Sequence, residues 1–174
     1  MASTTCPVCD EDIILPYGPK TSPILFIRSS PNEKEAHTRP FSDRAGDILK
    51  REMYAAGISL NECRQIVLWN HKLQEAGCNE FCEFQLFPEL KDKKLVILVG
   101  AEAVSYFTIG LYGVDEVKGL DISDEITVDV TEYADFDLHW TAMESPAIAF
   151  VKGVGELRFA IDFIKKFMDE HITK

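Results

Sequence analysis

The chain has 174 residues, 46% of them hydrophobic, which suits one domain with a single sizeable core. Its formal net charge of −11 argues against a broad duplex-binding face, because phosphate contacts dominate nucleic-acid affinity; it leaves a protein partner or a short local basic track. No apolar run reaches the ~20 residues of a membrane span, and the start lacks a basic stretch followed by an apolar one. The expectation is therefore a soluble, cytoplasmic chain with no membrane partner.

Residues 1–23 read as an irregular, Pro- and Cys-bearing lead-in. Ile24-Leu25-Phe26-Ile27 is a short apolar run of the kind that forms a buried parallel strand. A polar loop follows, broken by Pro31 and closed by Pro40. Over residues 43–56 the apolar positions Ala45, Ile48, Leu49, Met53 and Ala56 recur at helical spacing, and Gly57 suits the stop. Residues 65–69 predict a second strand, ending at Asn70-His71-Lys72, and residues 80–90 a helix. Residues 95–99 predict a third strand ended by Gly100, and residues 101–109 a short helix. Residues 119–130 read as edge strands or a hairpin, residues 138–142 as a fourth core strand, and residues 155–170 as an amphipathic helix. Strands alternating with helices predict a single-domain α/β chain: a three-layer α/β/α sandwich around a central, mainly parallel four-stranded sheet. Ligands of such sheets sit beyond the carboxyl ends of the strands, here residues 28–41, 70–72, the turn after Gly100 and residues 143–150.

Four of the five cysteines form two close pairs, Cys6 with Cys9 and Cys78 with Cys82. An odd cysteine total suits reduced thiols or metal ligands better than a secreted disulfide framework. The two pairs can supply four thiolates to one centre, which would pin the amino terminus to the middle of the fold. A zinc site of four cysteines fits the spacing, and unliganded thiols acting as small buried hydrophobes are the plainer alternative. Cys63 lies outside both pairs and reads as core.

Taken in order, these segments resemble the uracil-DNA glycosylase superfamily, especially its iron–sulfur (family 4) branch. The markers are Cys6-Pro7-Val8-Cys9; the strand before Arg28-Ser29-Ser30-Pro31-Asn32; Arg39-Pro40-Phe41-Ser42-Asp43-Arg44-Ala45-Gly46; Trp69-Asn70-His71-Lys72; the later cysteines; and Glu144-Ser145-Pro146-Ala147 before the last helix. The resemblance runs over roughly the whole chain. It implies a 4Fe–4S cluster on Cys6, Cys9, Cys78 and Cys82, zinc being the alternative, with a structural job: stapling the lead-in and the 73–82 loop to the sheet. The gap between the third and fourth cysteines is shorter here than in relatives.

The resemblance further implies that Phe41 stacks on an extruded base and that Asn70 reads its polar edge. Read for themselves, Phe41 suits ordinary core and Asn70 a strand-end turn. The two catalytic motifs depart from the pattern. Where relatives have GEAPG this chain has Arg28-Ser29-Ser30-Pro31-Asn32, so the acidic side chain becomes Ser29; where they have His-Pro-Ala it has Ser145-Pro146-Ala147. A serine without a partner is a poor base at neutral pH, and losing one such group commonly costs about 10²–10³ in rate. The side chains left to carry the chemistry are Asn32 or Glu33 to orient water, Glu144 as acid or base, His71 as donor, and the Ser29 and Ser145 hydroxyls. Each also reads as an ordinary loop residue.

Phe150 and Lys152 fall where relatives insert a loop into the DNA groove, a wedge and a phosphate contact, or else form a turn anchoring the last helix. The acidic run from Asp115 to Asp137 lacks regular metal-ligand spacing and reads as a solvated face or as an acidic docking surface for a basic protein. The expectation is a DNA-transaction protein with weak, altered or absent excision, touching single-stranded or local DNA and serving a protein partner in replication or repair. An active glycosylase and a metal-stapled interaction module without DNA binding are the alternatives. A compact, divergent chain of this kind would suit a viral genome.

Overall fold

A computed structural model describes residues 4–29 and 39–172. Four strands form one sheet: β1 (Ile24–Arg28), β2 (Arg64–Val67), β3 (Leu95–Val99) and β4 (His139–Met143), in the order β2-β1-β3-β4. Every pair is parallel, with Leu25 opposite Arg64 and Val96, and Val96 opposite Trp140. The helices are α1 (Arg44–Ala55), α2 (Cys78–Leu86), α3 (Ala101–Thr108), α4 (Val114–Val117), α5 (Ala149–Lys152) and α6 (Gly155–His171).

Strand residues alternate between two cores, as a sheet covered on both faces requires. Ile24, Phe26, Leu95, Ile97 and Val99 join Leu49 and Met53 of α1 and Leu157, Ile161 and Ile164 of α6. Leu25, Ile27, Val96 and Leu98 face the other way, toward Leu86 of α2, Val104 and Phe107 of α3, and Val114 of α4. The three-layer α/β/α sandwich is therefore present, and its sheet is wholly parallel.

The apolar strand runs and the two long amphipathic helices lie where the sequence puts them, within a residue or two. Residues 119–130 do not form strands. A single bridge joins Lys118 to Ala142, and a 3-10 turn covers Ser123–Glu125. The reason is local: the Asp121 carboxylate accepts from the Ser123 amide at 3.0 Å, and the Asp129 carboxylate from the Thr131 amide at 3.1 Å. Those amides are thereby taken away from a ladder. The helix expected to run to residue 90 ends at Leu86 and tightens into a 3-10 turn over Phe87–Leu90, because Pro88 brings no N–H and crowds the preceding turn.

The lead-in folds back as a tight turn around Cys6 and Cys9, closed by a bridge between Thr5 and Asp12. It then runs antiparallel past β2, where Tyr17 and Gln65 exchange both backbone hydrogen bonds at 2.7 and 2.9 Å. Among the described residues no helix is long and apolar enough to cross a membrane.

Candidate functional site

The carboxyl ends of β1, β3 and β4 bring Ser29, Gly100 and Ser145 together. Gly100 has φ +95°, and a Cβ there would meet Ser29 Oγ at 2.8 Å and Ser145 Cβ at 3.8 Å. The Ser29 hydroxyl donates to the Val99 carbonyl at 3.1 Å and accepts the Ala103 amide at 3.0 Å. It thus caps the first turn of α3, whose own N-cap position, Gly100, has no side chain to do so. Ser145 opens the 3-10 turn Pro146–Ile148. Asn32 and Glu33, with His37, lie outside the described residues.

Arg28 ends β1 and is buried. Its guanidinium makes a bidentate pair with Asp43 at 2.9 and 2.6 Å, donates to the Pro40 carbonyl at 2.9 Å, and lies 5.2 Å from the Phe41 ring centroid. Asp43 also caps α1 by accepting the Gly46 amide at 2.8 Å. Phe41 packs edge-on to Phe26 with centroids 6.1 Å apart and is only 7% exposed. Gly46 sits hard beneath it: a Cβ would come within 2.1 Å of the Phe41 carbonyl oxygen. Phe41 contributes to a hollow of about 50 Å³ shared with Tyr17, Arg39, Lys50 and Gln65, whose lining does not include Asn70.

Asn70 is buried just beyond β2, and its side-chain oxygen is already engaged. Oδ1 accepts the Cys82 thiol at 3.2 Å and lies 2.7 Å from His71 Nδ1. The other His71 ring nitrogen, Nε2, is buried with no hydrogen-bond partner.

That ring belongs to one of two clusters of potential metal-ligating groups among the described residues, the other being Asp115, Glu144 and Glu156. One His71 nitrogen and the sulfurs of Cys6, Cys9 and Cys78 all lie within 4.8 Å of one another. Cys6 and Cys78 are fully buried in a small core with Ile13, Leu15 and Phe81. The Val8 amide points at Cys6 Sγ from 3.4 Å. His71, then the Gln74 backbone, pull the Cys78 thiol down to about 6. For Cys9 the Glu11 backbone contact pulls down, yet burial and the neighbouring Cys78 and Cys6 outweigh it and hold the thiol up at about 11. Burial raises Cys82 to about 11 and Cys63 to about 12. The convergence of three of the four paired cysteines matches the sequence expectation. His71 as a fourth member does not, because spacing directs attention to cysteines alone. Cys82 stands against Asn70, with its sulfur 3.8 Å from His71 Nδ1.

Glu144 is buried at the end of β4 and sits in a separate cluster. Lys118 Nζ is 3.0 Å from Asp115, 4.0 Å from Glu144 and in close contact with Glu156. Burial, then the shared proton and charge of Asp115, push Glu144 up to about 6. Phe150 and Lys152 lie on α5, both exposed, with Val151 between them.

A model of the uracil DNA glycosylase superfamily matches residues 15–155. A search of the curated proteins finds no match.

Proposed function

Since the chain belongs to the uracil DNA glycosylase superfamily, we propose that it is a DNA-transaction protein in which the fold is kept and base excision is weak or lost. The observation that carries this reading is the Ser29 hydroxyl. It stands where relatives are expected to carry an acidic side chain, and its one proton and one of its two acceptor lone pairs are engaged by Val99 and Ala103. A neutral hydroxyl held in this way lacks the basicity to activate water and the charge to stabilise a developing oxocarbenium sugar. Phe41 and Asn70 are the base-contacting candidates of this reading, Phe41 at the hollow beside Tyr17 and Asn70 outside its lining. The contacts on Asn70 Oδ1 leave Nδ2 unused by them, so the amide donor is the part of Asn70 available to a base carbonyl.

Phe150 and Lys152 serve as the local DNA contact, and DNA engagement is confined to single strands or a short stretch, because a chain of net charge −11 repels a longer duplex track. An accessory role beside a replication or repair protein follows, with the acidic run from Asp115 to Asp137 as the docking face for a basic partner. The lead-in is stapled to the sheet by a metal centre, for which the resemblance implies a 4Fe–4S cluster and the thiol chemistry also allows zinc.

One observation favours an active enzyme instead. Glu144, raised to about 6, exchanges protons near neutral pH at the strand end where such folds do chemistry. Single-turnover reactions on uracil-containing single- and double-stranded DNA separate the readings. The expected result is retained low-salt DNA binding with base release close to the uncatalysed background. Rapid release abolished by Asn70→Ala overturns the accessory reading, and no DNA binding at low salt overturns both.

A further inference from the structure

The iron–sulfur branch implies a cubane cluster on four cysteines, and the donor geometry here does not fit one. In a 4Fe–4S cube each thiolate binds a different iron, so the ligand sulfurs stand roughly 6 Å apart. In a mononuclear tetrahedral site with metal–sulfur bonds of about 2.3 Å, neighbouring donors lie about 3.8 Å apart. The sulfurs of Cys6, Cys9 and Cys78 and a ring nitrogen of His71 all fall within 4.8 Å of each other. That is room for one ion and too little for a cube.

We propose that Cys6, Cys9, Cys78 and His71 bind a single Zn²⁺ ion as a closed site of three thiolates and one imidazole, with Cys82 outside the coordination sphere. Three further observations converge on His71. Its Nε2 is buried without a partner, a costly state that a metal bond would relieve. Its Nδ1 lies 2.7 Å from Asn70 Oδ1, the outer contact that fixes which nitrogen faces a metal. Cys82 is committed to the same oxygen at 3.2 Å, so its thiol supports the orienting amide. Cys6 and Cys9 sit in a tight turn closed by the Cys6–Glu11 backbone hydrogen bond at 2.8 Å, and the Val8 amide faces Cys6 Sγ. Such a turn presents two thiolates to one ion. Asn70 is then a positioning residue for the metal as well as the proposed reader of a base. The two sites share one side chain.

The test uses the full chain produced with both iron and zinc supplied. One zinc per chain, without iron or sulfide, is expected. After exchange with Co²⁺, the ligand-field spectrum is that of a tetrahedral site with three sulfur donors and one nitrogen. His71→Cys shifts it to that of an all-sulfur site, which reads the ligand directly without depending on the stability of an alanine variant. His71→Ala weakens zinc binding at least about tenfold. Cys82→Ser keeps the metal and the spectrum, since a hydroxyl still donates to Asn70. Four irons and four sulfides per chain, a cobalt spectrum unmoved by His71→Cys, or metal lost in Cys82→Ser would each overturn the proposal. None of these measurements involves DNA, so their failure is distinct from failure of the functional reading.

Discussion

Ser29 and Ala103 are 74 residues apart in sequence, yet the Ser29 hydroxyl accepts the Ala103 amide at 3.0 Å and so caps a helix from the end of a neighbouring strand. Helix α3 begins at a glycine with φ +95°, which leaves its first amides without a local side-chain acceptor. Ser29→Ala is expected to lower stability by about 1 kcal/mol, the usual cost of losing a cap. Urea unfolding measures it. An unchanged midpoint would show that the hydroxyl is free for other work.

Asp43 holds two structures at once, the buried Arg28 guanidinium and the amino end of α1. Asp43→Ala leaves a buried cation whose remaining partners among the described residues are the Pro40 carbonyl and the Phe41 ring, and it removes a cap, so a loss of roughly 3–5 kcal/mol is expected. Asp43→Asn keeps an acceptor for the Gly46 amide and falls between wild type and alanine. Equal losses in the two variants would count against the ion pair.

Glu144 gives a pH signature of definite sign. Its folded value, about 6, exceeds its ordinary 4.5, so the folded state holds a proton that the unfolded state releases between those values. Stability from this group is complete below about pH 4.5 and falls as pH rises through 6. Glu144→Gln should remove a decline on the order of 1 kcal/mol. Wild type and variant compared by urea unfolding at pH 4.5 and 7.5 test it; parallel curves would refute it.

Stripping the metal should loosen the first 20 or so residues while leaving the sheet folded, because both cores form without the cysteine cluster. The expected readout is rapid proteolysis within the lead-in after chelation, with a lower melting temperature that returns on metal addition. Identical digestion patterns with and without chelator would contradict it.

The sheet is legible in the sequence because Ile24-Leu25-Phe26-Ile27 and residues 95–99 are apolar on both faces, as only a doubly covered parallel strand needs to be. Gly46 is legible as a motif member, but its reason, the Phe41 carbonyl against its α-carbon, needs coordinates. Ser29 looks like a lost acid until the distant Ala103 amide is found beside it. His71 reads as a loop donor because nothing local marks a histidine as the companion of cysteines 62 and 65 residues upstream. Residues 119–130 mislead for another cause: isoleucines and valines there alternate like a strand, while aspartates capture the nearby amides.

The Tyr17–Gln65 pairing carries a consequence for solubility. β2 is an outer strand, and unpaired outer strands invite edge-to-edge growth with other chains. Here Tyr17 occupies that border at Gln65, and the Ile14 amide closes the next stretch on the Asn70 carbonyl at 2.8 Å. The lead-in is thus a selvedge on the sheet, and a chain whose staple has been pulled should clump in time and concentration before it unfolds.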